Sequence, residues 1–460
     1  MRTGEETMIF LAIDFGTSAV KMSLIDEDLQ VKSVSSEKYN YVTFPGEKNE
    51  LRQEDLFNAF YGAAKGLDEE LLKKAEMIVF DTFSPSPVFL DKEGSLVYPN
   101  VITHMDRRSR AQTQYISDTF GNDRYRNISG IYPFPGGCSA MTFLWFKQNM
   151  PEVLEKTHIV GHFPTFIYHW LTGEFMVDFV NASMMGMYET TTQGTWSKEL
   201  IKEFGFDPAI FGPIYNPGEV HGYLVKEVAD KLGIKAGIPV AVGTNDVATA
   251  QMGAGNDKAG GIMNTTGSSE MVSILVDKAL IDPDNYHYYL RNAALPGLWQ
   301  IYVTTCGGFG IDWFRKEFCK EMSEEQFFAY EADEISKYIA AGNNNGITFD
   351  PYLTGDRQDL PKKTAGWHGI DLNAGPTRGQ MLVALLASIQ DVMIGAMAKA
   401  QEICTLDPVV KLAGGMSKSE PYRRMKLNAY QALGVDGLQL QYVENCETLG
   451  CVQLAKHYMK

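Results

Sequence analysis

The stretch Ile9–Lys21, IFLAIDFGTSAVK, constrains this chain more than any other. Its opening residues Ile9, Phe10, Leu11, Ala12 and Ile13 read as a buried strand. Asp14 follows, with Gly16, Thr17 and Ser18 close behind, and then Val20, Met22, Leu24 and Ile25 resume a strand pattern. The segment therefore predicts a tight β-hairpin with a polar turn. Glycine at position 16 lets a ligand approach the backbone with no Cβ in the way. Thr17 and Ser18 offer hydroxyls and N–H groups to phosphate oxygens, and Lys21 adds positive charge. An ionised Asp14 only accepts hydrogen bonds, so beside phosphates it makes sense as a holder of Mg²⁺, directly or through water. An ordinary hairpin with a polar turn would contain the same residue types.

A second stretch of the same design follows much later. Gly261–Val276, GIMNTTGSSEMVSILV, again runs strand, Thr-Gly-Ser turn, strand, with Gly267 and Ser268 at its tip. Two such hairpins predict two related halves facing a cleft, with one phosphate chain held from both sides. Between them the strand Val240–Val242 ends at GTNDVATAQMGAG, Gly243–Gly255. Asp246 there sits at a strand end and a helix start, where the helix dipole favours its ionised form. It could also serve as the N-cap of that helix, and the two roles are compatible.

Further motifs lie along the chain. His104-Met105-Asp106-Arg107-Arg108 follows a W-x-D-x-R pattern with His in place of Trp. Thr305–Phe318 is a Gly-rich turn entering a helix, and Asp350–Arg357, DPYLTGDR, approximates P-Y-L-x-G-E-R with Asp356 for Glu. Gly414-Gly415-Met416-Ser417-Lys418-Ser419 follows a strand but lacks P-loop spacing. Glu447–Ala455 approximates a terminal E-x-x-x-G-A helix. In this order, from Met8 onward, the chain resembles the FGGY carbohydrate kinases, close to xylulokinases and gluconate kinases, within the actin/hexokinase type of ATPase fold.

That resemblance implies an α/β protein of two actin-like, ribonuclease H-like domains, each a mixed sheet flanked by helices, with a cleft between them. It implies residues 1–252 as the sugar-binding domain with the first phosphate loop, and 253–460 as the nucleotide-binding domain. Asp246 becomes the catalytic base, touching the sugar hydroxyl and sharing Mg²⁺ with Asp14. Asp106 becomes an acceptor for sugar hydroxyls, with His104 beside it. Ser84 and Pro85 take the place of a sugar-contacting pair that is often Met-His in xylulokinases and Arg-Glu in glycerol kinases. Thr17, Ser18, Lys21, Gly267 and Ser268 would hold phosphates. Gly308, Asp312, Gly415 and Ser419 would complete the nucleotide site. The implied reaction moves the γ-phosphate of ATP, with Mg²⁺, to a hydroxyl of a small sugar or polyol. The missing Arg-Glu pair leans it towards a ketose such as a pentulose.

Composition agrees with a soluble globular protein of more than one core. The 460 residues are 45% hydrophobic and 21% charged. A net charge of −16 argues against nucleic acid or anionic membrane as the main partner. The six cysteines form no C-x-x-C pair and read as reduced packing residues. Glu5 and Glu6 near the start do not fit the cationic region of a signal peptide, and Met381–Ala398 carries Gln390 and Asp391 and reads as a buried helix rather than a membrane span. A cytoplasmic enzyme is expected, and homodimers are common in the family. Two other classes share the hairpins: an actin-fold ATPase switch without a sugar, and a sugar-binding protein without turnover. Sugar-dependent ADP release separates all three.

Overall fold

The computed structural model describes residues 7–281, 288–353, 363–371 and 375–459. Asp356, and the N-terminal Glu5 and Glu6, lie outside the described residues. The chain divides into two compact units. The first comprises Met1–Gly255, Arg291–Leu298 and Asn445–Lys460, and the second Asn256–Leu290 and Trp299–Glu444. The expected contiguous division at 252/253 thus differs at its far end, because the last helix, Cys446–Tyr458, packs into the first unit.

Both units repeat one sheet pattern. In the first, Val31–Lys38, Ala19–Asp26 and Ile9–Phe15 pair antiparallel in sequence. Ile9–Phe15 then pairs parallel with Ala75–Thr82, which pairs parallel with Pro239–Ala241. In the second, Trp299–Cys306, Ser269–Val276 and Ile262–Thr266 pair antiparallel. Ile262–Thr266 then pairs parallel with Val409–Ala413, which pairs parallel with Gln439–Tyr442. Both predicted hairpins form, each as the inner pair of its sheet.

The strands that lead into the turns are apolar because helices or strands cover both their faces. Phe10, Ala12, Met77 and Val79 pack with Val452 and Ala455 of the last helix, and all are buried. That helix crosses Asp246–Gly253 at very close range. A Cβ on Gly450 would stand 1.8 Å from the Thr249 carbonyl oxygen, and one on Gly253 would stand 1.9 Å from that of Cys446. Glycine is what permits this contact.

In the second unit, helix Arg378–Gln401 buries Met393 and Met397 against the sheet and Leu382, Leu385 and Ile389 against a neighbouring helical layer. By length and composition it could cross a membrane, but these burials make it a core helix. Beneath the sheet, the buried Lys426 Nζ donates to Asn264 Oδ1 at 2.7 Å and to Gln390 Oε1 at 3.1 Å, and forms an ion pair with Glu270. Tyr422 donates to the other Glu270 oxygen at 2.6 Å. Of the six cysteines all are free, and all but Cys404 are buried.

Candidate functional site

Strand register alone brings the first unit's acidic groups together. Asp14 lies opposite Asp81 on the next parallel strand, and Asp81 lies opposite Thr244 on the short strand Thr244–Asn245. Asp246 then opens the helix Asp246–Gly253. Glu447, in the first turn of the last helix, adds its charge to the same pocket.

These carboxyls are destabilised as anions. Burial, reinforced by the charges of Asp81, Glu447 and Asp246, raises the Asp14 pKa well above the carboxylate range. Burial pushes Asp81 up to about 7, although Thr249 and Cys451 both donate to it. Burial first and the Asp81 charge second push Asp246 up to about 8. This corrects the expectation that the helix dipole keeps Asp246 ionised: loss of solvent and like charge outweigh the dipole. The capping expectation is corrected too. Asn245 is the N-cap, accepting from Val247 N–H at 3.2 Å, and its amide donates to Asp246 Oδ1 at 2.7 Å.

Asp14 Oδ1 and Asp81 Oδ1 are both buried with no hydrogen-bond partner among the described residues. Two facing orphan carboxylate oxygens fit a divalent cation. Among the described residues no three or more His, Cys, Asp or Glu side chains gather as a metal cage. Two carboxylates are the number that Mg²⁺ takes from a protein when waters and phosphate oxygens fill its other positions.

A buried chain of polar groups holds the strand beside Asp246. Thr244 donates to Asp178 Oδ1 at 2.6 Å, and Asn181 donates to Asp178 Oδ2 at 2.8 Å. His162 Nδ1 meets Asn181 Oδ1 at 2.7 Å, and its Nε2 meets Ser139 at 2.7 Å. With the proton on Nδ1, every ring nitrogen is satisfied by a neutral imidazole. Burial pushes His162 down to about 4.

The other predicted residues of this unit fare differently. Thr17 and Ser18 are exposed at the hairpin turn. Lys21 donates to Asn445 Oδ1 at 2.7 Å instead of standing free for phosphate. Ser84 carries a buried hydroxyl oxygen with no partner among the described residues, and the preceding Phe83 meets the His104 ring edge-on at 6.2 Å. Asp106 is the clearest correction. It is 1% exposed, and both its oxygens are taken, by Arg108 and by the Asn49 and Arg108 backbone N–H groups. Arg108 also binds Glu50 and lies over Trp145. The W-x-D-x-R spacing here makes a buried ion pair.

In the second unit Gly267, Ser268, Gly308, Asp312, Gly415 and Ser419 line one cavity of about 730 Å³. Gly308 N–H donates to Gly267 O at 2.9 Å and Phe309 N–H to Ser268 O at 3.0 Å, which seats the following helix on the hairpin turn. Gly414, at φ +90°, lies so close that a Cβ would stand 2.4 Å from the Thr266 carbonyl oxygen, while Gly415 faces open space. Two roles shift. Asp312 pairs with Arg315 and Lys316, and Ser419 caps helix Glu420–Tyr430. The sequence reading did not single out Asp81 or Thr249, and gave Glu447 only as the start of a terminal helix motif. Asp81 ends an apolar strand just as Asp14 does, and that parallel was the available signal.

The model of the FGGY family of carbohydrate kinases, N-terminal domain, matches residues 9–253. The chain is 27% identical over 353 residues to the xylulose kinase of Lactococcus lactis subsp. lactis, spanning 75% of this chain and 68% of that protein. It is 25% identical over 429 residues to the L-fuculokinase of Escherichia coli K12, spanning 91% and 87%. The ligand-bound xylulose kinase structure from Lactobacillus acidophilus superposes with a TM-score of 0.86 at 19% identity, covering 98% of this chain and 89% of that one.

Proposed function

The chain belongs to the FGGY family of carbohydrate kinases, ATP-dependent sugar phosphotransferases, and from that premise we propose that its acceptor is a small ketose such as a pentulose and that Asp246 is the base. The observation that carries the second proposal is the register placing Asp14, Asp81 and Thr244 on adjacent strands, with Asp246 immediately after them. The first unit takes the acceptor and the second takes the nucleotide in its cavity. The exposed Thr17 and Ser18 turn, and the Gly267–Ser268 turn, each offer N–H and hydroxyl donors to phosphate.

Phosphoryl transfer is largely a matter of positioning and charge, with one group to receive the acceptor's proton. Asp246, at a helix start and fixed by the Asn245 amide and Val247 N–H, has one oxygen held and one free to meet a hydroxyl. A carboxyl whose pKa lies near working pH is well matched to general-base work. Asp14 and Asp81 would hold Mg²⁺, whose positive charge would lower the pKa of these carboxyls and offset charge on the phosphate oxygens. The orphan Ser84 hydroxyl offers a sugar hydroxyl one donor and two acceptor sites. Use of ATP fits a cytoplasmic enzyme.

The test is ADP release across pentuloses, hexuloses, glycerol, tetritols and gluconate. A ketopentose with the highest kcat/KM supports the reading. Preference for gluconate or glycerol would overturn the ketose assignment.

A further inference from the structure

Helix Glu324–Ala341 closes one wall of the second unit's cavity and turns Glu331 towards it. Glu331 is only 8% exposed and has no hydrogen-bond or ion-pair partner among the described residues. Its surroundings are apolar: Phe327, Phe328, Ile335 and Ile311 line the same cavity. Burial alone pushes its pKa up to about 7. The cavity's other polar side chains are largely committed. Asp312 is paired, Ser419 caps a helix, and Tyr422 donates to Glu270. A buried carboxyl with unused hydrogen-bonding capacity is costly, and a leucine would fill that space better. The cost is recovered if the partner arrives with the ligand.

Aromatic and aliphatic side chains beside one uncommitted buried carboxyl suit a purine. A neutral carboxyl offers one O–H donor and one C=O acceptor side by side. The adenine edge offers the complement, an acceptor at N1 and a donor in its 6-amino group. Taking this cavity as the nucleotide site, as proposed above, we infer that the Glu331 carboxyl reads the N1/6-amino edge of the adenine base and sets the enzyme's nucleotide preference.

The test is calorimetric binding of ADP and of purine riboside 5′-diphosphate, which lacks the 6-amino group, to the whole protein. Wild type should prefer ADP by about tenfold or more. Glu331→Gln should retain most of that preference, since its amide also presents one donor and one acceptor. Glu331→Leu should bind both nucleotides alike, with a melting temperature no lower than wild type. If the leucine variant fails to fold, Glu331→Met, whose flexible side chain fills irregular space, takes its place. Equal binding of the two nucleotides by wild type, or a preference that survives in the apolar variant, would overturn the inference while leaving the nucleotide site intact. Failure of folded wild type to bind either nucleotide would remove the site itself, and the inference with it.

Discussion

Lys21 Nζ donates to Asn445 Oδ1 at 2.7 Å, tying the first hairpin to the residue that starts the last helix, 424 positions later. Asn445 holds a left-handed backbone at φ +56°, so glycine can replace it without strain. Asn445→Gly should cost about 1.5–3 kcal/mol in urea unfolding, the worth of one hydrogen bond to a charged group, and should change the KM for ATP less than about twofold. A marked rise in that KM with unchanged stability would return Lys21 to the phosphates.

Asp246→Asn preserves shape but removes the base. We expect kcat to fall by about 10²–10⁴, with ADP binding nearly unchanged. The melting temperature should rise slightly if it moves, because the variant no longer buries a carboxyl crowded by Asp81. Near-normal sugar-dependent ADP release from the folded variant would end the catalytic assignment.

Asp106→Ala should act on stability. It leaves Arg108 and Glu50 buried without their third partner, and breaking such a pair costs about 3–5 kcal/mol. Chemical denaturation should register that loss, while the surviving folded fraction keeps a KM for sugar within a few-fold of wild type. A large rise in KM without loss of stability would make Asp106 a sugar ligand after all.

His162 should contribute an acid-sensitive part of the stability, opposite in sign to the raised carboxyls Asp81 and Asp246. Its folded pKa of about 4 lies below the ordinary 6.5. As pH falls through that window the unfolded chain takes up a proton that the folded one refuses, so stability falls. From pH 7 to about 4.5 this amounts to about 2 kcal/mol. His162→Gln, less stable at pH 7, should lose less over the same range. Parallel urea curves for both proteins at the two pH values would rule out this source of acid sensitivity.

The parts of the fold and site legible from sequence were those written in adjacent residues. The two hairpins, the strand-to-helix junction at Asp246 and the glycines at 308 and 415 each carry their signal within a few positions. What escaped depends on pairing over long distances. Asp106 looks available until Arg108 and Glu50 close around it. Asp81 looks like one polar residue in an apolar strand until parallel register sets it against Asp14. The pKa of Asp246 could not follow from its helix position, because burial and Asp81 act against the dipole. Glu331 sits in a helix whose pattern gives no sign that a cavity lies beside it.

The glycine-mediated crossing of Asp246–Gly253 by Cys446–Tyr458 also fixes when the acidic pocket can be finished. On the ribosome, Asp14, Asp81 and Asp246 emerge long before Glu447 and Cys451. At about 5–20 residues per second the interval is roughly 10–40 s. Throughout it the nascent first unit lacks the wall that covers Ala12 and Val79, leaving apolar surface for a chaperone to shield. The acidic pocket is therefore completed only once Cys446–Tyr458 has been made, and a chain released before that helix has both hairpins and no completed pocket.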